Sequence, residues 1–148
     1  MAHADDCIFC RIVRGEMPCF RVCEDAETLT FMDLFPVTDG HTLFITKKHY
    51  RDIFEAEEGA LAAVAATSLR VARAIDDVLA PDGLGVFQLN RPAAGQTVFH
   101  YHMHLMPRTE GEAFSLHSRV QGDEDRLRAT AERLAAALDR VGPGTAEG

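Results

Sequence analysis

The chain has 148 residues, of which 47% are apolar, so it can form one domain with a substantial hydrophobic core. Its formal net charge of −8 disfavours binding to the phosphate backbone of a nucleic acid polymer. The N-terminal residues lack the basic and apolar regions of a signal peptide, and no apolar run is long enough to span a membrane. We therefore expect a cytoplasmic protein that does not associate with membranes.

The first third of the chain predicts a short helix followed by three strands. Residues 9–14 fit one or two helical turns that end at Gly15. The alternation over Phe20–Glu24 and Thr28–Met32 predicts two strands that flank a turn. The β-branched and aromatic residues of His41–Thr46 predict a third strand.

The rest of the chain predicts two amphipathic helices with two strands between them. An apolar stripe with helical spacing predicts a helix that ends at Pro81 and Gly83. The stripe consists of Leu61, Val64, Ser68, Val71, Ile75 and Val78. Residues 85–90 and 100–107 predict strands, and residues 109–122 look irregular and mobile.

A second stripe predicts a last helix capped by Asp123. It consists of Leu127, Ala131, Leu134, Leu138 and Val141. The order of elements indicates a single α+β domain over residues 1–141, with an antiparallel sheet and helices packed on it. Residues 142–148 are predicted to be a disordered tail.

Three histidines alternate along the predicted strand at His100, His102 and His104. Alternate residues of a strand share one face, so the imidazoles would stand in a row with neighbours roughly 6–7 Å apart. The intervening side chains would point into the core on the other face: Tyr101, Met103 and Leu105. A row of imidazoles suits metal binding, nucleophilic catalysis, or both divided among the three.

Cys7 and Cys10 have the two-residue gap that lets both sulfurs bind one tetrahedral zinc ion. The other two ligands are left open by the residues alone. Cys19 and Cys23 would complete a four-cysteine site and are slightly favoured by spacing, although both also suit burial as small apolar side chains. His49 with one histidine of the row is the other choice.

The ordered motifs between Cys7 and Arg108 resemble those of the histidine-triad (HIT) superfamily of nucleotide hydrolases and transferases. In chain order they are Cys7–Cys10, Gly15–Pro18, Phe31–Asp33, Gly40–Leu43, Lys47–His49, Asn90, Gly95–Val98 and His100–His104. The resemblance implies an α+β fold with a five-stranded antiparallel sheet. It also implies a homodimer in which two sheets join into one larger sheet, with residues 109–141 as a C-terminal loop and helix.

Within the superfamily the chain is most similar to the bacterial Hint-like branch, several members of which carry a structural zinc ion. That resemblance assigns the zinc ligands to Cys7, Cys10, His49 and His100. The choice against the other two cysteines therefore rests on the resemblance and not on spacing.

The resemblance also assigns the chemistry. His102 would attack the α-phosphorus of a nucleotide and form a nucleotidyl-histidine that water then hydrolyses. His104 would stabilise charge on the phosphoryl oxygens, and His41 would support the triad from a neighbouring strand. The implied substrates are purine nucleoside 5′-phosphoramidates or related adenylates, with release of AMP. The alternatives are a dinucleoside polyphosphate hydrolase and a nucleotide-binding regulatory protein with vestigial activity.

The implied nucleotide site has three parts. Asp33 would accept hydrogen bonds from the ribose hydroxyls. Donors around the phosphate, besides His104, would be Asn90, Gly95, Gln96 and Thr97. The walls of the base pocket would be Ile8, Phe9, Ile12, Phe31 and Leu34.

Two segments are not accounted for by the resemblance. The loop at 91–94, which follows Asn90, lacks the glycine that the family commonly has soon after this asparagine. The side chain of Arg91 in this loop could meet the leaving group or face water. Residues 114–119, which include His117, could border the site and select the leaving group. A rival interpretation of the histidine row is a metal-dependent hydrolase with all three imidazoles on a catalytic zinc ion.

Overall fold

The computed structural model describes residues 6–141. In chain order the elements are α1 (Ile8–Val13), β1 (Arg21–Glu24), β2 (Thr28–Met32), β3 (Thr42–Thr46), α2 (Glu58–Leu79), β4 (Gly83–Phe87), a 3-10 turn (Pro92–Ala94), β5 (His102–Arg108) and α3 (Glu124–Val141). The five strands form one antiparallel sheet in the order β1-β2-β3-β5-β4, which confirms the predicted fold class. The predicted tail at 142–148 lies outside the described residues.

Helices α2 and α3 pack together on one face of the sheet and bury the larger core. Val64, Val71 and Ile75 of the predicted α2 stripe are fully buried. Each such side chain contributes roughly 1.5–3 kcal/mol by leaving water. Ser68 was predicted on that stripe but is only half-buried, and its hydroxyl donates to the Ala65 carbonyl at 2.8 Å. The α3 stripe is buried as predicted at Leu127, Ala131, Leu134 and Leu138, and half-buried at Val141.

The opposite face of the sheet carries α1 and a smaller apolar cluster. Phe9 of α1 packs on side chains from β2 and β3, among them Phe31 and Leu43. Cys7 caps the N-terminus of this helix, and its sulfur accepts the backbone N–H of Cys10 at 3.4 Å. Helix α1 therefore covers this face of the sheet, and its N-terminus carries the two cysteines.

The last two strands depart from the predicted bounds. Strand β4 begins at Gly83, which the sequence marked as a helix terminator, because Gly83 pairs with Arg108 of β5. It ends at Phe87, three residues before the predicted end. The predicted strand at 85–90 is therefore shifted toward the N-terminus.

Strand β5 begins at His102, so the prediction that His100 lies in the strand was wrong. The backbone N–H of Tyr101 donates to the Tyr50 carbonyl at 2.7 Å, which takes the chain out of the β3 ladder before His102. The predicted alternation is confirmed on the other face, where Tyr101 and Leu105 are buried in the larger core and Met103 packs against it.

Residues 109–122 contain no helix or strand, as predicted. At their end the Asp123 carboxylate accepts the backbone N–H of Arg126 at 3.3 Å, which confirms the predicted cap of α3. No helix within residues 6–141 is long and apolar enough to cross a bilayer. The homodimer stays a prediction. Strands β1 and β4 are the two edges of the sheet, where the sheet of a second subunit could join.

Candidate functional site

A cavity of about 500 Å³ lies on the α1 face of the sheet. It is bounded by α1, the ends of β2 and β3, strand β5 and part of the loop that follows β5. Most of the predicted site residues line it: Ile8, Phe9, Ile12, Phe31, Asp33, Leu34, His41, Thr97, His102 and His104. The sequence-predicted catalytic histidines and base-pocket residues therefore meet in one place.

His102 is held with one nitrogen bound and the other unprotonated. Its Nδ1–H donates to the backbone carbonyl of His100 at 2.7 Å. Because a carbonyl can only accept, this bond fixes the tautomer and leaves the lone pair on Nε2. Burial lowers the pKa of His102, so the imidazole is neutral near pH 7. A neutral imidazole with its lone pair on the distal nitrogen is a competent nucleophile.

His41 and His104 are joined by a hydrogen bond, and the position of the proton on each imidazole can be assigned. The backbone N–H of Val37 donates to His41 Nδ1 at 3.1 Å, so the His41 proton is on Nε2. That Nε2–H lies 2.9 Å from His104 Nδ1 and donates to it. His104 must then carry its own proton on Nε2, where it can serve as a hydrogen-bond donor. Burial lowers the pKa of His41 to about 4 and that of His104 further, so both imidazoles are neutral.

Phe87 of β4 orients His104, a contact that the sequence did not predict. The two rings are stacked, with centroids 4.4 Å apart and planes 11° apart. Phe87 lies directly opposite His104 in the β4–β5 register. Directly paired residues share a face, so the correct register would have revealed the contact.

Asp33 places its carboxylate at the cavity, just beyond the end of β2. Oδ1 accepts the backbone N–H of Phe35 at 2.8 Å, and Oδ2 lies 3.4 Å from His41 Nε2. Burial raises the pKa of Asp33 to about 6, against the opposing effect of the Phe35 hydrogen bond. The group is thus an ionised acceptor at neutral pH that is close to losing its charge.

The amides of Asn90 and Gln96 are engaged in holding loops, and neither residue, nor Gly95, lines the cavity. Asn90 Oδ1 accepts the backbone N–H of Ile53 at 2.8 Å. Gln96 Nε2 donates to the Arg51 carbonyl at 2.8 Å, and its Oε1 accepts the N–H of Arg91 at 2.6 Å. Their predicted role as phosphate donors stays a prediction, and their observed role is to shape the segment that precedes β5.

Arg91 lies away from the cavity lining. Its guanidinium lies over the Phe54 ring, 4.3 Å from the centroid, and its Nε is 4.0 Å from an oxygen of Asp52. Its backbone has a φ of +73°, in the region that favours glycine. The structure therefore gives Arg91 a part in the loop and no contact with the site.

Cys7, Cys10, His49 and His100 form a second cluster beside the cavity, with one potential ligand atom from each within 4.8 Å of the others. The Cys10 sulfur lies 3.2 Å from His49 Nδ1 and 3.5 Å from His100 Nδ1, and the two nitrogens are 3.2 Å apart. Tetrahedral zinc would separate such atoms by about 3.3–3.6 Å. His100 Nε2–H donates to the Thr46 carbonyl at 2.6 Å, which leaves the Nδ1 lone pair toward the cysteines. The geometry and the donor set fit zinc.

Cys19 and Cys23 do not join this cluster. Each packs against a different apolar cluster, Cys19 on the α1 face and Cys23 on the α2 and α3 face. Burial raises the pKa of both thiols. Within residues 6–141 the four-cysteine alternative is therefore wrong, and the two residues act as small apolar side chains.

The rim of the cavity includes residues from the irregular loop after β5. Leu116, His117 and Ser118 line it, as do Gln121 of the same loop and Glu124 at the start of α3. This confirms the prediction that residues near His117 border the site. Gln121 and Glu124, which also line the rim, were not among the predicted residues.

The HIT domain family matches residues 14–111 of the chain. Two relatives extend the match. The "Protein hit" of Bacillus subtilis is 39% identical over 125 residues, which cover 84% of this chain and 86% of that protein. The adenosine 5′-monophosphoramidase hnt1 of Schizosaccharomyces pombe is 36% identical over 106 residues, which cover 72% of this chain and 77% of that protein.

Among solved structures, the chain is similar to a zinc-bound histidine triad family protein from Mycobacterium smegmatis. The two superpose with a TM-score of 0.81 at 38% identity, over 92% of this chain and 95% of that one. A similar structure is thus known with zinc bound.

Proposed function

The chain belongs to the HIT domain family, and from that premise we propose that it cleaves the α-phosphate bond of purine nucleoside 5′-phosphoramidates or related adenylates and releases AMP. The observation that carries the proposal is the state of His102. The imidazole is neutral, anchored through Nδ1, and presents Nε2 as its unprotonated nitrogen in a cavity large enough for a nucleotide.

The proposed reaction has two displacements at phosphorus. His102 Nε2 forms a bond to the α-phosphorus while the bond to the leaving amine breaks. Water then forms a bond to phosphorus while the bond to Nε2 breaks, which releases AMP and restores His102. The hydrogen bond from Nδ1–H to the His100 carbonyl stabilises the positive charge that the ring carries in the intermediate.

Charge on the phosphoryl oxygens needs donors that are already in position. The hydrogen bond from His41 places the His104 proton on Nε2, and the stacked Phe87 ring fixes the plane of that imidazole. Thr97, which also lines the cavity, offers a hydroxyl. Donors held in this way need no reorganisation as charge develops, which is the usual source of transition-state stabilisation in such sites.

The rest of the cavity suits a purine ribonucleotide. The ionised Asp33 carboxylate can accept hydrogen bonds from both hydroxyls of a ribose. Phe9, Phe31 and Ile12 supply an apolar wall that would hold the base through stacking and contact area. The name of the Schizosaccharomyces pombe relative favours phosphoramidates over dinucleoside polyphosphates.

We also propose that Cys7, Cys10, His49 and His100 hold a structural zinc ion. With four protein ligands no position is left open for water, so the ion would supply cross-linking and no chemistry at phosphorus. It would join α1 to the segments before α2 and β5. The rival in which the three triad histidines share one catalytic zinc is disfavoured, because His100 Nδ1 faces the cysteines while His102 and His104 line the cavity.

The test is AMP release from adenosine 5′-phosphoramidate and, in parallel, from diadenosine tetraphosphate. We expect the wild type to prefer the phosphoramidate and to carry a labelled adenylyl group after a denaturing quench, while His102→Ala carries none. Preference for the tetraphosphate would establish the polyphosphate hydrolase instead. Tight nucleotide binding with no release from either substrate would favour the regulatory binding protein.

A further inference from the structure

The loop between β5 and α3 crosses the rim of the cavity and is held at both ends. Near its start, Arg108 Nη2 donates to the Ala113 carbonyl at 2.7 Å. At its end, the backbone N–H of Gly122 donates to the Leu34 carbonyl, just beyond β2, at 2.8 Å. These contacts place the residues between them, His117 among them, against the site.

His117 points its ring at the segment that leads into β5. Its Nε2 lies 3.5 Å from where a Cβ on Gly95 would be, and Gly95 has a φ of +104°. The absence of a side chain at Gly95 therefore leaves room for the imidazole. His117 shares the cavity with His102 and His104 and is itself exposed to solvent.

The electrostatics agree with that placement. After burial, the electrostatic effect of His117 is a further cause of the lowered pKa of His41. His117 therefore acts on His41 across the cavity that both residues line.

The proposed reaction needs a proton donor for the leaving group. His41, His102 and His104 already have other roles in the proposed mechanism. The amine that leaves from a phosphoramidate must gain a proton as its bond to phosphorus breaks. His102 is the nucleophile, and its only N–H donates a hydrogen bond to a backbone carbonyl. The N–H of His41 donates a hydrogen bond to His104. The proposed function assigns the remaining His104 proton to the phosphoryl oxygens.

We propose that His117 is a further catalytic residue that gives a proton to the leaving group, an inference that rests on the proposed function. In the first displacement the His102–phosphorus bond forms, the phosphorus–nitrogen bond breaks, and the amine takes its electron pair and a proton from His117. In the second, water bonds to phosphorus, the electron pair returns to His102, and the water proton passes to His117. The cycle ends with AMP, free amine and the starting protonation state.

A proton donor matters only for a leaving group that needs a proton. An alkylamine leaves poorly as an anion, whereas 4-nitrophenolate leaves without protonation. The test therefore compares AMP joined to an alkylamine with the 4-nitrophenyl ester of AMP, using wild type, His117→Gln and His117→Ala. Arg119→Gln is the matched control, since Arg119 is an exposed residue of the same loop outside the cavity lining.

We expect His117→Gln to lower kcat/KM for the alkylamide by about 100-fold and for the nitrophenyl ester by less than about threefold. Added imidazole should restore part of the alkylamide rate of His117→Ala, and Arg119→Gln should match wild type on both substrates. Thermal melting of each variant checks that the fold is retained.

Equal losses on both substrates would overturn the inference, because they would place His117 at the phosphate or in the fold. So would no loss on either substrate, or no rescue by imidazole. If the wild type releases AMP from neither substrate, the proposed function fails first and the inference falls with it.

Discussion

His100 and His102 differ in which nitrogen they give to the backbone. His100 binds the Thr46 carbonyl through Nε2–H and turns Nδ1 toward the cysteines. His102 binds the His100 carbonyl through Nδ1–H and keeps Nε2 unprotonated. Two neutral imidazoles on one face of the chain thus present opposite nitrogens, and the position of a carbonyl decides which chemistry each can perform.

The difference has a geometric cause. Nδ1 is close to its own backbone, so His102 can reach the carbonyl two residues earlier. Nε2 is farther out, so His100 can reach Thr46 at the end of β3. The Phe9 ring meets both imidazoles edge-on, with centroid distances of 5.8 Å to His100 and 5.1 Å to His102. One apolar side chain therefore packs on both imidazoles.

The largest effect should come from removing the nucleophile. We expect His102→Ala to lower kcat by on the order of 10⁴-fold or more, because no other group can form the covalent intermediate. The Kd for AMP should change by less than about threefold. Turnover assays and calorimetric titration with AMP would measure the two. Near-normal turnover would remove His102 from the role of nucleophile.

The second effect should fall on stability. Cys10→Ser removes one predicted zinc ligand, so we expect the Tm of the zinc-loaded protein to fall by about 10 °C or more while kcat changes by less than about threefold. Cys19→Ser, a half-buried cysteine outside the cluster, is the control and should shift Tm by only about 3 °C. Thermal scans with and without chelator, together with metal analysis, test this. Equal shifts for both variants would contradict the zinc site.

Asp33→Asn should weaken binding and stabilise the empty protein. Loss of the charged acceptor should lower kcat/KM for a ribonucleotide by roughly 10- to 100-fold. The same loss should be absent with a 2′,3′-dideoxy substrate, since that substrate has no hydroxyls to bind. If Asp33→Asn affects both substrates equally, the carboxylate does not recognise the ribose.

The stability change follows from the raised pKa of Asp33, which is about 6 against an ordinary value of 3.8 for this side chain. A raised folded-state pKa favours folding at low pH, and this contribution is lost as pH rises through about 6. Asp33→Asn should therefore gain at most about 3 kcal/mol of unfolding free energy at pH 7 and nothing below about pH 4. Denaturant titrations at the two pH values check this, and KM of the wild type should rise as pH falls below 6.

The smallest effect should come from the ring that orients His104. Phe87→Leu removes the stacked contact, and we expect kcat to fall about threefold because a looser imidazole donates less well. Val86→Ala on the same strand is the control, since Val86 is 58% exposed and should leave kcat unchanged. Steady-state assays suffice, and an equal decrease in both variants would point to the strand as a whole.

Much of the fold follows from local pattern. The β2 bounds agree with the prediction, because Thr28–Met32 combines β-branched and aromatic residues with a turn before it. The α2 stripe identified the buried face of that helix through Val64, Val71 and Ile75. Strand β4 could not be placed from sequence, because Gly83 looks like a terminator and becomes a strand residue only through its pairing with Arg108.

The site was predictable as a list and not as a mechanism. The spacing of the histidines and of Cys7 and Cys10 pointed to residues that the structure brings together, at the cavity and in the cluster of potential metal ligands. The protonation pattern depends on contacts from distant parts of the chain, such as Val37 with His41 and Thr46 with His100. Residues 114–119 were expected to border the site, but their loop has no periodicity, so the sequence could not show that His117 lines the same cavity as His102 and His104.

One peptide group joins the two centres of this protein. The carbonyl that fixes the His102 ring belongs to His100, whose imidazole faces the cysteines. Any change that moves the His100 backbone therefore also rotates the attacking nitrogen, even when every residue of the cavity is intact. A chain that lost the two cysteines would have to hold this peptide by packing alone before its triad could keep its alignment.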